Sequence, residues 1–510
     1  MRRSFAVRGI VEGFYGTPWT HAARLAAITF LAPRGLNAYV YAPKDDAKHR
    51  AEWRVPYASR ELAQFGELAA HAAAHDARFG FAISPGLDIE YESPSDRAVL
   101  FDKLRPLLDA GVPWFLLLLD DIPMQPGIGP RQAALATWLF DELRAARADA
   151  SLTLCPTEYV GTRPSPYLAE LGGGLPDAVD VMWTGPTVCS PTVRADDARG
   201  WADALGGHRT LVWDNTPVND ASMTQELHLG PYLGRDADLV DVVGGVLCNP
   251  MNQPTASMVQ LATAMEFLRD PDGYDAPAAW ARAWADVGAD RAEPLAVLAR
   301  ACADGPLIAP GQLDLTRLVD RLEAVLDSPA WAEAASDIAT ELRAARALPK
   351  SFASGSTDEL SAELAPWAAA ASANASAGLA ALRLIQQVRP IRPAEGAETG
   401  ESGRDRVVLP DPEPAMHHAF ALSYTWMAAR ADSHCVFGPR FAVYSAVVQM
   451  PGGAGPALDV SASLREDANV IDRLCRLALN TYEAWRCSPD VVREPTLAPL
   501  PFRDRRCEES

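Results

Sequence analysis

The chain has 510 residues, 48% of them apolar and 22% charged, with a formal net charge of −20. That length suits two or three globular domains with sizeable cores. The acidic balance argues against nucleic acid and anionic membranes as partners, since both recruit clustered Lys and Arg.

The eight cysteines are scattered, with no Cys-x-x-Cys pair and no His cluster at zinc spacing, so reduced thiols and no metal are expected. The apolar stretch after Met1 is broken by Arg8 and Glu12, too short and too charged for a signal-peptide core. No apolar run reaches the ~20 residues of a membrane helix. A cytoplasmic location is the expectation.

In chain order, the first half repeats one unit. A short apolar run ends in a polar or Gly/Pro turn, and an Ala/Leu-rich amphipathic stretch usually follows. The runs are Phe5–Gly13, Asn37–Lys44, Arg78–Gly86, Trp114–Ile122, Ser151–Tyr159, Val179–Pro186, Arg209–Asn215 and Val242–Pro250. Several are nearly continuous hydrophobics, as in Trp114-Phe-Leu-Leu-Leu-Leu-Asp120, which is how a strand buried on both faces of a parallel sheet reads. Eight strand-then-helix units predict an α/β fold, a (β/α)8 TIM barrel over 1–272. The rival, an open doubly wound sheet, lacks the Gly-x-Gly-x-x-Gly phosphate loop that would favour it.

From about 275 the apolar period turns helical. Leu315, Leu318, Leu322 and Val325 mark one face, as do Trp280, Trp284 and Val287, and Leu382, Ile385 and Val388. A helical bundle is predicted over 273–390. Residues 391–414, rich in Pro, Gly and Glu, read as a disordered linker or loop. The region 415–510 reads as mostly helical and a candidate to pack with the bundle. It holds helices at Ala415–Arg430 and Val470–Trp485, a strand-like or buried stretch at Phe437–Met450, and an irregular tail from Ser488.

In such a barrel the catalytic groups project from the C-terminal ends of the strands. Those ends supply Glu12-Gly13-Phe14-Tyr15-Gly16, Lys44-Asp45-Asp46, Ser84-Pro-Gly-Leu-Asp88, Asp120-Asp121, Thr157-Glu158-Tyr159, Trp183-Thr-Gly-Pro186, Trp213-Asp-Asn215 and Asn249-Pro250. Acids, amides, aromatics and one Lys suit a neutral polyhydroxylated ligand, and the Arg-rich character of a phosphate site is missing.

Asp120-Asp121 closes a core strand, where unpaired aspartates are rare. A helix cap plus a solvated loop acid is the plain reading. In the functional one both enter a single site, which requires the strand to end or bulge there. Like charges that close oppose double ionisation, so one carboxyl is expected to stay protonated near neutral pH. Neighbours on one strand flank a glycosidic bond poorly, whereas a double-displacement pair stands ~5 Å apart across it. They suit substrate assistance: the sugar's 2-acetamido oxygen attacks the anomeric carbon, one Asp holds the acetamido N–H, and the other protonates the departing oxygen.

Gly9-Ile-Val-Glu-Gly-Phe-Tyr-Gly-Thr-Pro-Trp19 and Tyr41-Ala-Pro-Lys-Asp-Asp-Ala-Lys-His-Arg50 resemble signatures of glycoside hydrolase family 84, the O-GlcNAcases. So do Ile83-Ser-Pro-Gly-Leu-Asp88, Asp120-Asp-Ile122, Cys155-Pro-Thr-Glu-Tyr159, Trp183-Thr-Gly-Pro186 and Trp213-Asp-Asn215, in the family's order over about 8–270. The resemblance implies a retaining exo-β-N-acetylglucosaminidase acting on terminal β-linked GlcNAc of a glycoconjugate or glycoprotein, with no cofactor. It implies that Asp120 orients the acetamido group and Asp121 serves as general acid and then base. Tyr159 would place the acetamido oxygen, and Trp213 would line the pocket around its methyl. Gly13 and Lys44 would contact ring hydroxyls, and Asn215, Asp220 and Asn249 would hold others. It also allows a homodimer through the helical domain.

Two other functions remain open on the sequence: an endo-acting hexosaminidase on hyaluronan- or chitin-like polymers, and a non-catalytic sugar-binding barrel. His71 and His75 have the i, i+4 spacing of metal ligands but no third partner in view, so a surface pair is expected. Glu12 and Glu158 read as structural neighbours of the site, and Trp183 as either core or pocket.

Overall fold

Eight short strands close on themselves in chain order: β1 Val7–Glu12, β2 Ala38–Tyr41, β3 Arg78–Ile83, β4 Trp114–Leu118, β5 Ser151–Cys155, β6 Asp180–Trp183, β7 Thr210–Asp214 and β8 Gly245–Cys248. Every neighbouring pair is parallel, and β8 returns to β1 through Val7 opposite Gly245. The computed structural model describes residues 3–303, 314–388, 412–438, 441–449, 456–464 and 469–486. Each run read as a strand contains one, and helices such as His21–Leu31, Ser59–Ala74, Pro94–Asp109 and Ile128–Ala146 fill the connections. The fold is a (β/α)8 barrel.

The two-residue period of a strand decides what faces the barrel axis. In β4 the side chains of Trp114, Leu116 and Leu118 join the interior cluster with Val11, Ala38, Val40, Ala42, Ala82, Cys155, Tyr159, Met182, Leu211, Trp213 and Leu247. Phe115, Leu117 and Leu119 take the opposite face and are equally buried. Both faces are dry, which is why the run carries no polar alternation.

The chain forms two compact units. The first comprises Met1–Gln312, Gly355–Leu364 and Phe441–Leu464. The helices Ala276–Gly288 and Ala292–Ala301, grouped with the bundle on periodicity, therefore cluster with the barrel. In Ala276–Gly288 the buried face is Ala279, Ala283 and Gly288, while Trp280, Trp284 and Val287 lie half-buried at its flank. Trp280 spends its indole N–H on the Leu229 carbonyl at 2.7 Å. Strands Phe441–Gln449 and Pro456–Leu464 pair antiparallel.

The second unit comprises Leu313–Ser354, Ala365–Arg440 and Arg465–Ser510, and the elements described in it are helices. In Asp314–Val325 the buried positions are Leu315, Val319 and Leu322, so Val319 replaces the expected Leu318 and Val325. Leu382, Ile385 and Val388 are buried as expected. Arg473 ties this unit together, pairing with Asp320 at 2.6 Å and with Glu323. Helix Glu359–Val388 corrects the reading that no stretch reaches membrane length: it is long and apolar enough to cross one, but 67% of its apolar window is buried in protein. That burial makes it a core helix. The linker expected at 391–414 lies mostly outside the described residues; from Pro412 the chain is a helix, Pro412–Ala431. The tail from Ser488 lies outside them entirely.

Candidate active site

Inward parity continues past each strand end and selects the mouth. Ala38, Val40 and Ala42 lead to Lys44; Leu116 and Leu118 lead to Asp120; Leu211 and Trp213 lead to Asn215; Leu247 leads to Asn249; Val11 leads to Gly13. Outward parity at the same ends sends acids elsewhere. Glu12 is fully buried against Arg24, which grips it with two bonds of 2.7 and 2.8 Å, while Tyr39 donates at 2.6 Å. Asp214 pairs with Arg235 and accepts from Tyr232 at 2.6 Å. Both are scaffold ion pairs.

Asp121 should point outward by the same count. Its φ of +52° bends the chain into the left-handed region, which Asp tolerates better than most residues. That bend brings it onto the same mouth as Asp120. The Thr157 hydroxyl, donating to the Leu119 carbonyl at 2.7 Å, fixes the strand end from the neighbouring element.

The two acids are held differently. Asp120 Oδ2 accepts from the Lys44 ammonium, which is itself buried and lies 5.5 Å from the Trp213 ring centroid. Asp120 Oδ1 is buried and has no hydrogen-bond partner among the described residues. Asp121 accepts at Oδ2 from Tyr15 and at Oδ1 from Tyr159, both at 2.8 Å. Burial works against its charge, but Lys44, the two phenol donors and Arg50 outweigh it and hold the carboxyl below the usual carboxylate range. Of the pair expected to be one protonated acid beside one anion, Asp121 is therefore held as the anion, with the Lys44 ammonium on Asp120 the largest influence favouring its charge. Burial and the adjacent carboxylates push the Tyr15 and Tyr159 hydroxyls up, so both remain neutral donors.

A second network forms the wall. Gly13 N–H donates to Asn249 Oδ1 at 3.1 Å, and Asn249 Nδ2 donates to Asn215 Oδ1 at 3.0 Å. The Trp213 indole N–H donates to the same Asn215 oxygen at 2.9 Å, and Asn215 Nδ2 donates to the Val188 carbonyl at 2.7 Å. Trp213 therefore stands edge-locked, and a Cβ on Gly13 would meet its ring at 2.2 Å. Asp220 arrives from the loop after β7 and accepts the Tyr15 backbone N–H at 2.8 Å; burial raises its pKa.

Gly13, Lys44, Asp120, Asp121, Tyr159, Trp213, Asn215, Asp220 and Asn249 are thus linked by these two networks at the barrel mouth. Tyr159, expected beside an acetamido oxygen, bonds Asp121 here. Tyr15 and Arg50 are not among the residues the sequence singles out, although each lies in a quoted string that also holds one, Gly13 and Lys44 respectively. Trp183 is core: its ring stacks on Trp201 at 5.9 Å and its N–H meets the Gly161 carbonyl at 2.9 Å. Glu158 accepts from Ser165 at 2.9 Å. His71 contacts Thr29 at 2.9 Å, and His75 contacts the His71 carbonyl at 2.9 Å.

A parallel barrel whose C-terminal mouth carries adjacent carboxylates, an indole wall and converging amides is the framework of a glycoside hydrolase. A family model described as beta-N-acetylglucosaminidase matches residues 8–300, and the chain belongs to that family, glycoside hydrolase family 84. The rat and mouse proteins named Protein O-GlcNAcase are each 34% identical to it over 270 residues, 50% of this chain. That match spans 29% of the length of each of those proteins. Among solved structures, a mutant of the Thermobaculum terrenum O-GlcNAc hydrolase superposes with a TM-score of 0.77 at 27% identity, covering 94% of this chain and 96% of that one. The structure of CpGH84B gives 0.77 at 25% identity, over 94% and 77% of the two chains.

Proposed function

We propose that the chain is a retaining exo-β-N-acetylglucosaminidase that removes terminal β-linked GlcNAc from glycoconjugates or glycoproteins by substrate assistance. The observation that carries this reading is the state of Asp120. One oxygen is neutralised by Lys44, and the other is buried and unpartnered beside a second, separately held acid. A buried carboxylate oxygen needs a donor, and an acetamido N–H supplies one.

In the first step the acetamido oxygen bonds to the anomeric carbon as the bond to the leaving oxygen breaks. Asp120 takes on the growing positive charge of the amide, and Asp121 gives its proton to the leaving oxygen. In the second step water attacks the same carbon, Asp121 takes the water's proton, and the oxazoline ring opens with overall retention. Asp121 is anionic in the unliganded site, so it must gain its proton as substrate binds. Tyr159 would release Asp121 to meet the acetamido oxygen, and Trp213 would wall the methyl. Gly13, Lys44, Asn215, Asp220 and Asn249 would serve the hydroxyls. The names Protein O-GlcNAcase and O-GlcNAc hydrolase carried by the relatives support this substrate class.

The reading extends to the assembly and the compartment. Cys155, Cys189, Cys248 and Cys475 carry free thiols, which suits a reducing cytoplasm. An exposed apolar face on helix Pro412–Ala431 suits a homodimer.

The test is turnover of aryl N-acyl-β-glucosaminides with acetamido, fluoroacetamido and trifluoroacetamido groups. Rate should fall steeply as the carbonyl becomes a poorer nucleophile. A flat series would exclude participation of the acetamido group.

A further inference from the structure

A guanidinium with no part in that chemistry lies against the second acid. Arg50 is 9% exposed, and its Nη2 donates to the backbone carbonyl of Asp121 at 3.2 Å. Its Nη1 stands 4.0 Å from Asp121 Oδ2 and has no hydrogen-bond partner among the described residues. The guanidinium carbon lies 5.9 Å from the Tyr15 ring centroid, and the Tyr15 hydroxyl donates to that same Oδ2.

The loop that carries Arg50 is pinned. The preceding His49 is fully buried, with Nδ1 2.8 Å from the Ala82 carbonyl, and its own carbonyl accepts from Ser84 N–H at 2.9 Å. Burial, with Lys44 adding to it, pushes the His49 pKa down to about 3, so the anchor is neutral. The arginine cannot drift away from the acid without breaking these contacts to β3 and the chain just after it.

A buried cation with an unused donor is costly to keep. The place where the cost is returned is Asp121, which holds an unfavourable backbone conformation and changes its charge twice per turnover under the proposed function. We propose that Arg50 is a positioning residue for the acid–base carboxyl. It clamps the Asp121 carbonyl in the left-handed bend and stabilises the carboxylate left when the proton departs. The inference rests on the substrate-assisted reading above. It separates two contributions: a hydrogen bond to the main chain, and a positive charge beside Oδ2.

The charged and titratable groups facing Asp121 are Asp120, Lys44, Arg50, Tyr15, Tyr159, Asp220 and the Cys155 thiol. Lys44 is engaged by Asp120, and the phenols are neutral. Arg50 is therefore the cation whose removal changes the field at Asp121 without unpairing Asp120.

The experiment measures kcat, which reports the groups of the substrate complex, against pH for the full chain as wild type, Arg50→Gln and Arg50→Lys, with one good and one poor aryl leaving group. Asp121→Ala is the control, and melting temperatures verify folding. For Arg50→Gln the descending limb should move up by about 1 pH unit, because an opposite charge within a few ångströms has been removed. Its plateau for the poor leaving group should fall at least about tenfold, a usual share of general acid catalysis, with a smaller loss for the good one. Arg50→Lys should keep the wild-type limb and recover most of that rate. Should Arg50→Gln not fold, Arg50→Lys alone decides: the charge is kept and the fork is lost, so a limb displaced from wild type sinks the proposal. A Gln limb superimposed on wild type, or equal losses for both leaving groups, overturns the role of Arg50 while leaving the glycosidase reading intact. A wild type without turnover overturns both.

Discussion

Gly13 shapes the site by what it lacks. Its backbone lies against the Trp213 ring, and an added methyl would overlap Cζ2 at 2.2 Å. The indole cannot yield without surrendering its bond to Asn215, and Asn215 in turn holds Asn249. Gly13→Ala should therefore leave a folded protein whose KM rises about tenfold or more, the scale of a lost positioning contact, with a smaller change in kcat. Steady-state kinetics on an aryl GlcNAc glycoside would show it, and an unchanged KM would mean that Trp213 is not a sugar wall.

Lys44 sits at the other end of the same logic. Lys44→Met removes the cation between the two acids, so one proton should then be shared between Asp120 and Asp121, as their bare adjacency implied. Loss of kcat should reach about a hundredfold, typical of a removed electrostatic stabiliser, and the descending limb of kcat/KM should rise in pH. A limb that stays in place would contradict the role given to the ammonium. The adjacency of the acids was legible in the sequence, but which of them is held as the anion was not. It depends on which strand end puts Lys44 beside Asp120, which is a matter of barrel closure and register.

At the level of strands and loops, parity carries most of what could be read. Counting in twos from the buried run gives Gly13, Lys44, Asp120, Tyr159, Asn215 and Asn249, and it assigns Glu12 and Asp214 to the scaffold. Asp121 escapes the count because one backbone angle reverses it. Asp220 escapes because it comes from a loop with no period. Arg50 escapes because its place depends on a buried histidine four elements before the acids in sequence.

That histidine has a measurable consequence. His49 and His228 are both buried and pushed down to about 3 by burial, so each stays neutral in the fold. In the unfolded chain each titrates near ~6.5. Below that pH the unfolded state takes up protons that the folded state refuses, so their contribution is complete above ~6.5. It then falls by about 1.4 kcal/mol per histidine per pH unit until pH approaches the folded value. Denaturant midpoints should drop as pH goes from 7 to 5, and His228→Phe, with a ring of similar shape and no proton to gain, should flatten that slope. A variant with the wild-type slope would show that His228 titrates normally in the fold.

For the molecule as a whole, the barrel explains the chemistry and the second unit raises the question of assembly. Helix Pro412–Ala431 buries Ala415, Ala419, Leu422, Trp426 and Ala429, yet Phe420, Tyr424 and Met427 are 51%, 75% and 53% exposed. Their spacing of four and three puts them on one face, and His417, Ala421 and Ala428 extend it without a formal charge. A helix apolar on every side reads from sequence as wholly buried, so only the structure separates the packed side from the open one. An exposed, uncharged apolar face of this kind is what an interaction site would present. The simplest closed arrangement sets the face against its own copy about a two-fold axis, where each residue is used twice.

Light scattering on the full chain, 54.8 kDa, should then report a dimer at micromolar concentration. Tyr424→Asp would place two unpaired carboxylates within the same apolar contact. Burying one such charge costs several kcal/mol, so the dissociation constant should weaken by at least about a hundredfold. The variant should run as a monomer with an unchanged melting profile at low concentration. The control is Thr340→Asp, an exposed position on helix Trp331–Ala347 of the same unit, which should stay dimeric. A wild type that is monomeric at these concentrations, or a Tyr424→Asp variant that still pairs, would remove this face as the dimer contact.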